Sequence, residues 1–207
     1  MADYQDELAA RWRELAQPEA SWHVLEVTTR GCIVTSSGVS TTLSVTDPTA
    51  LPLAENRFDL VTCRNAVSGF PDSYRFMLEM RRVLKPGGIL LVKDVLLPDG
   101  ERAAGYVNAF LKLRDPRHIR AYADYEWEGT ALDAGFEVAL VERFTHDVPL
   151  LDPNAEEPYT PYRVERLHIL LRQAPQAAAA WLQPHCPGTA DARFTQHTII
   201  LKAVKPV

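Results

Sequence analysis

Three runs decide the fold: Phe58-Asp59-Leu60-Val61-Thr62-Cys63-Arg64-Asn65, Arg82-Val83-Leu84-Lys85-Pro86-Gly87-Gly88, and Ile89-Leu90-Leu91-Val92-Lys93-Asp94-Val95. Around the first, Arg57 to Cys63 reads as a strand. The third is a nearly continuous apolar strand, the pattern of a sheet covered on both faces. Between them, residues 73–84 carry Phe76, Met77, Met80, Val83 and Leu84 on one helical stripe. Asp72 is placed to cap that helix, and Lys85-Pro86-Gly87-Gly88 stops it, with a cation at its negative end. Strand, helix, strand is the unit of an α/β layered fold with helices on a mostly parallel sheet.

Outward from this centre the pattern continues. A helix is expected over 101–114 and another from Asp124 to Gly135, followed by a strand from Phe136 to Thr145. Residues 151–161 hold Pro153, Pro158 and Pro161 and read as a loop. Helix returns over 162–182, broken near Pro175, and Phe194–Val204 is the last strand. On the other side, residues 3–16 form a helix with Leu8, Trp12 and Leu15 on one face, ended by Pro18. Three short β-like runs follow at 22–28, 32–36 and 41–46. Gly31 and Ser37-Gly38 lie in the gaps between them.

Composition bounds the function. The chain has 207 residues, 46% hydrophobic and 24% charged, with a formal charge of -5. An acidic balance argues against a nucleic-acid binder. No apolar run approaches the ~20 residues of a membrane span, because Lys93 and Asp94 interrupt the longest one. Cys32, Cys63 and Cys186 give neither a disulfide framework nor a zinc pattern, and no histidine spacing suits a metal. A cytoplasmic protein is expected.

From Leu51 to Phe136 the chain resembles the class I S-adenosylmethionine-dependent methyltransferases, nearest to their quinone and small-molecule branch. The residues that carry this are Leu51-Pro52-Leu53, Phe58-Asp59-Leu60-Val61, Phe70-Pro71-Asp72, and Arg82 to Gly88. Leu113-Arg114-Asp115-Pro116, Glu126-Trp127, Ala134-Gly135-Phe136 and the closing Phe194 to Pro206 extend it. The resemblance implies a Rossmann-like sheet with helices on both faces, S-adenosylmethionine as cofactor and a small-molecule substrate. It implies a single domain. The N-terminal helix spans 1–20, a degenerate cofactor half 22–47, the retained core 51–145, and the C-terminal helices and closing strand 146–207.

The family grips its cofactor with an N-terminal βαβ unit. A Gly-rich turn follows its first strand, and an acid on its second strand holds the ribose. Here Val24-Leu25-Glu26-Val27 runs into Thr28-Thr29-Arg30-Gly31, and one glycine remains. A βαβ unit takes about 30 residues and its crossover ~10–12, more than Thr28 to Thr41 provides. The spacing therefore predicts a short antiparallel β-meander in place of the first βαβ unit.

The cofactor-side residues that this reading assigns are Gly31, Asp47, Arg64 and Asn65. Asp47 stands where the family's adenine-contacting acid sits, or is a turn residue before Pro48. Arg64 and Asn65 end a strand at the edge that lines ligand crevices. Ser68-Gly69 stands where relatives often carry histidine. Asp94, His118 and His146 are the candidates for proton transfer or substrate contact, with capping or loop roles as the alternatives. Tyr106, Phe110, Trp127, Tyr159 and Tyr162 line a flat pocket or belong to the core. Two functions stay open. One is a methyltransferase. The other is a non-catalytic relative that binds a hydrophobic ligand or a partner subunit, with homodimerisation through the uncovered sheet flank.

Overall fold

The computed structural model describes residues 2–28, 31–36, 39–43 and 47–207. Helix α1 is Ala2–Leu15. Strands β1 (His23–Thr28), β2 (Gly31–Ser36), β3 (Val39–Leu43) and β4 (Phe58–Arg64) follow. Then come α2 (Ser73–Val83), β5 (Leu84–Val95), α3 (Glu101–Arg114), α4 (Asp124–Asp133) and β6 (Glu137–Pro149). The chain closes with α5 (Pro161–Arg172), α6 (Gln176–Leu182) and β7 (Arg193–Val204).

All seven strands form one sheet in the order β3-β2-β1-β4-β5-β7-β6. β4 is parallel to β1 and to β5. β1–β2 and β2–β3 are antiparallel, so the expected meander is present. β7 runs antiparallel to both β5 and β6. The parallel part is thus β1, β4 and β5 alone, narrower than the mostly parallel sheet expected. At the β1–β2–β3 flank the connections are too short for crossovers. The third β-run was expected over 41–46; β3 begins earlier, and residues 44–46 lie outside the described residues.

Both faces of the centre are covered. Leu25, Val61, Val92 and Leu201 pack under α2 and α4 with Phe76, Met80 and Trp127. On the opposite face Leu8 and Trp12 of α1 sit on Leu60, Leu91 and Ile200. Arg11 locks α1 to the sheet through a 2.7 Å ion pair with Glu142. A second apolar cluster joins α3, α5 and α6 around Phe110 and Phe194, whose rings meet edge to face at 4.9 Å.

Two expectations change. Lys85 does not serve the end of α2; its Nζ binds both oxygens of Asp59 at 2.8 Å. The cation at that helix end is Lys205, whose Nζ donates to the carbonyls of Arg81 and Leu84 at 2.8 and 2.7 Å. Lys85 to Gly88 is also the start of β5, reached directly from the helix. Gly88 is required there, since a Cβ would stand 2.8 Å from the Lys85 carbonyl oxygen and 3.2 Å from that of Phe58. Second, β6 runs on past Thr145 to Pro149 because β7 pairs with it throughout. His146 is therefore a strand residue, opposite Gln196.

Candidate functional site

The ends of β4 and β5 open into a cavity of about 800 Å³. Its walls come from α1 (Leu8, Trp12), the β4 exit (Arg64, Asn65), β5 (Lys93, Asp94), the loop after α3 (His118) and the paired strands β6 and β7 (His146, Thr198). That volume suits a small molecule. Arg64, Asn65, Asp94, His118 and His146, far apart in sequence, meet here. Gly31 and Asp47 do not line it. Gly31 starts β2 opposite Thr28, and Asp47 is an exposed turn residue whose carboxylate accepts from Thr49 N at 2.8 Å and Oγ1 at 2.6 Å.

The floor is built by backbone. Asn65 adopts a left-handed conformation (φ 51°), which Asn tolerates better than most residues, and turns the chain off the sheet. Its N–H still donates to the Lys93 carbonyl at 2.7 Å. Asp94 has no solvent exposure, and burial raises its pKa against the pull of its donors. Its carboxylate accepts from Ser68 N at 3.1 Å and Val95 N at 2.7 Å. It thereby anchors the single 3₁₀ turn Val67–Gly69. The Ser68 carbonyl in turn accepts from Ile119 and Arg120 N–H groups at 2.8 and 2.9 Å, which holds the His118 loop against the turn. Asp94 is a positioning residue.

His118 is held in one tautomer. The Oδ1 of Asn108 accepts from Ala121 N at 2.9 Å, and Asn108 Nδ2 donates to the Ala121 carbonyl at 3.4 Å. The amide orientation is therefore fixed, and His118 Nε2, 2.9 Å from the same Oδ1, must carry a proton. Nδ1 is left as the basic nitrogen. Burial lowers the imidazole pKa to about 4. At neutral pH the His118 ring is thus neutral, with Nδ1 as its unprotonated nitrogen.

The face under α1 is cationic. Arg64 and Lys93 pair directly across β4 and β5. Arg64 donates to Glu26 at 2.8 Å and lies over the Trp12 ring, 5.9 Å from its centroid. The Lys93 ammonium makes no hydrogen bond or ion pair among the described residues. Burial lowers its pKa and Arg64 adds to the effect, with Asp94 opposing. Burial and Lys93 likewise lower that of His146. Thr198 is 1% exposed, and its Oγ1 has no partner among the described residues.

Lys93 and Thr198 were not singled out by the sequence. The signal for Lys93 was present, as a charge inside an otherwise apolar strand. Thr198, one threonine among β-branched neighbours, carried none. The aromatic candidates divide as core: Phe110 and Trp127 are buried, Tyr106 and Tyr159 pack on the α3–α5–α6 cluster, and Tyr162 is exposed. Cys63 is fully buried and its thiol is pushed well up, as an inert strand residue requires.

Does this geometry suit S-adenosylmethionine in the family's usual pose? Among the described residues, β1 leads to an antiparallel strand and not to a helix N-terminus. The neighbouring strand β2 runs away from this edge, so its end cannot present a ribose-binding acid here. Glu26, the carboxylate near the β1 end, is taken up by Arg64.

The architecture is that of a Rossmann-like α/β protein. A family model described as a methyltransferase domain matches residues 3–92. The chain is 37% identical over 79 residues to the uncharacterized methyltransferase YcgJ of Bacillus subtilis, covering 38% of this chain and 31% of that protein. It is 28% identical over 120 residues to the demethylmenaquinone methyltransferase of Staphylococcus epidermidis, covering 49% and 50%. The crystal structure of BH2331 from Bacillus halodurans superposes with a TM-score of 0.72 at 28% identity, covering 78% of this chain and 70% of that one. Fold and sequence are together similar to those of class I S-adenosylmethionine-dependent methyltransferases. The chain spans between about a third and a half of the length of these two curated relatives. No helix among the described residues is long and apolar enough to cross a membrane.

Proposed function

We propose that this chain is a small-molecule-binding member of the superfamily, and that on its own it does not hold S-adenosylmethionine in the family's manner. The observation that carries this reading is the antiparallel hairpin β1–β2 where a βαβ cradle is expected. Hydrogen bonds to charged groups contribute ~1.5–3 kcal/mol each, so losing two of them weakens binding by about 10²–10⁴-fold. The ligand site is the cavity at the ends of β4 and β5, with His118 as the group able to accept a proton. In this reading the chain acts as one domain in the cytoplasm. A second copy or a partner subunit covers the β3 edge of the sheet.

Calorimetric titration with S-adenosylmethionine and S-adenosylhomocysteine tests it. The expected result is no saturable heat below millimolar ligand, with circular dichroism confirming a folded protein. Micromolar binding overturns it. A second reading, methyl transfer with a partner chain completing the cofactor site, is favoured by the identity to the demethylmenaquinone methyltransferase. It predicts that micromolar affinity appears only in an assembled complex.

A further inference from the structure

Arg64 and Lys93 are directly paired residues on adjacent strands, so both side chains leave the same face of the sheet. Like charges in that arrangement repel. Only one of them is compensated: Glu26 binds Arg64, while Lys93 has no partner among the described residues. Asp94, next in sequence, does not make up the difference, because its carboxylate is engaged by the N–H groups of Ser68 and Val95. A half-buried ammonium without an anion is costly unless something else supplies the anion. On the same face, Thr198 sits diagonally across β5–β7 from Lys93, since Lys93 pairs with Ile200. Its buried hydroxyl is also without a partner. Two independent polar groups therefore line one cavity with unused hydrogen-bonding capacity, and both can donate.

We propose that this cavity binds a small organic oxyanion, a carboxylate or a phosphate monoester, seated between Arg64 and Lys93 and accepting a hydrogen bond from Thr198. The apolar remainder of the ligand lies against Leu8, Leu111 and Val148, which line the same cavity. His146, on the neighbouring strand, adds a further donor when protonated. The inference rests on the reading of this cavity as the ligand site. It deepens that reading by naming the ligand's charge, which is opposite to that of a sulfonium.

The test is calorimetry and thermal shift with two probes, inorganic phosphate and benzoate, on the full chain at neutral pH. Wild type is compared with Lys93→Met, Lys93→Arg and Thr198→Val, with Lys202→Met as a control. Lys202 pairs with Leu91 on the same face but does not line the cavity. Saturable binding of at least one probe is expected in wild type, Lys93→Arg and Lys202→Met. A loss of about tenfold or more is expected in Lys93→Met, and a smaller one in Thr198→Val. Tighter phosphate binding assigns a phosphate ester; tighter benzoate binding assigns a carboxylate. Without ligand, Lys93→Met should melt higher than wild type, because the uncompensated cation is gone. Absence of saturable binding to either probe overturns the proposal, as does equal affinity in wild type and Lys93→Met. If Lys93→Met does not fold, Thr198→Val carries the same comparison. Neither probe contains adenosine or a sulfonium, so failure here leaves the S-adenosylmethionine titration and the reading it tests unaffected.

Discussion

Replacing His118 by Gln should flatten the acid limb of the stability curve. His118 is 7% exposed, and its pKa falls from the ordinary 6.5 to about 4 in the folded chain. The unfolded chain takes up a proton as the pH drops through 6.5; the folded chain does not until about 4. A depressed folded-state pKa means that stability is present above 6.5 and lost as the pH falls towards 4. The full displacement corresponds to about 3 kcal/mol, of which about 2 kcal/mol is lost between pH 7 and pH 5. Asp94 acts in the opposite sense, because its raised pKa favours the folded state at low pH. That contribution is common to wild type and variant and cancels in their difference. Urea unfolding at pH 7, 6 and 5 for both proteins gives the assay. Glutamine keeps a donor towards Asn108 while removing the titration, so the wild type should lose about 2 kcal/mol more than His118→Gln over that range. Parallel curves, or a His118 imidazole titrating near 6.5 by NMR, would refute the buried, tautomer-locked histidine.

Three further outcomes follow from the same contacts. Asn108→Ala leaves the Ala121 N–H and His118 Nε2 without their shared acceptor, so it should cost about 2–4 kcal/mol, read by urea unfolding. Trp12→Ala removes the buried ring that docks α1 and stacks on Arg64; a loss of about 3–5 kcal/mol is expected by the same unfolding assay. Gly88→Ala forces a Cβ against two backbone carbonyls that cannot rotate away, and should lower stability by about 1–3 kcal/mol.

Much of the fold was legible because its signals are local. The apolar stripe from Phe76 to Val83 and the run from Ile89 to Val95 define α2 and β5 directly, since periodicity reports burial on one face or both. The meander was readable from chain length alone: no crossover helix fits between Thr28 and Thr41. What was not legible depends on distant pairing. The exchange of Lys85 for Lys205 at the end of α2 needs β7 to lie beside β5. The extension of β6 to Pro149 needs the full length of β7 as partner. The candidate site followed the same division. Arg64, Asn65 and Asp94 could be placed from their positions at strand ends. The Arg64–Lys93 pairing could not, because cross-strand register is set by the assembled sheet. The locking of His118 depends on Asn108 and Ala121, brought together by the turn of the chain after α3.

The central claim is that the β1–β2 hairpin has displaced the cofactor cradle and that ligand binding is confined to the ends of β4 and β5. Amide-resolved NMR with S-adenosylhomocysteine added to the full chain tests this most directly. The account predicts no saturable shifts at Thr28 or Gly31 with ligand up to millimolar concentration. Saturable shifts clustered at those residues and at Arg64 and Asn65, at micromolar ligand, would contradict it.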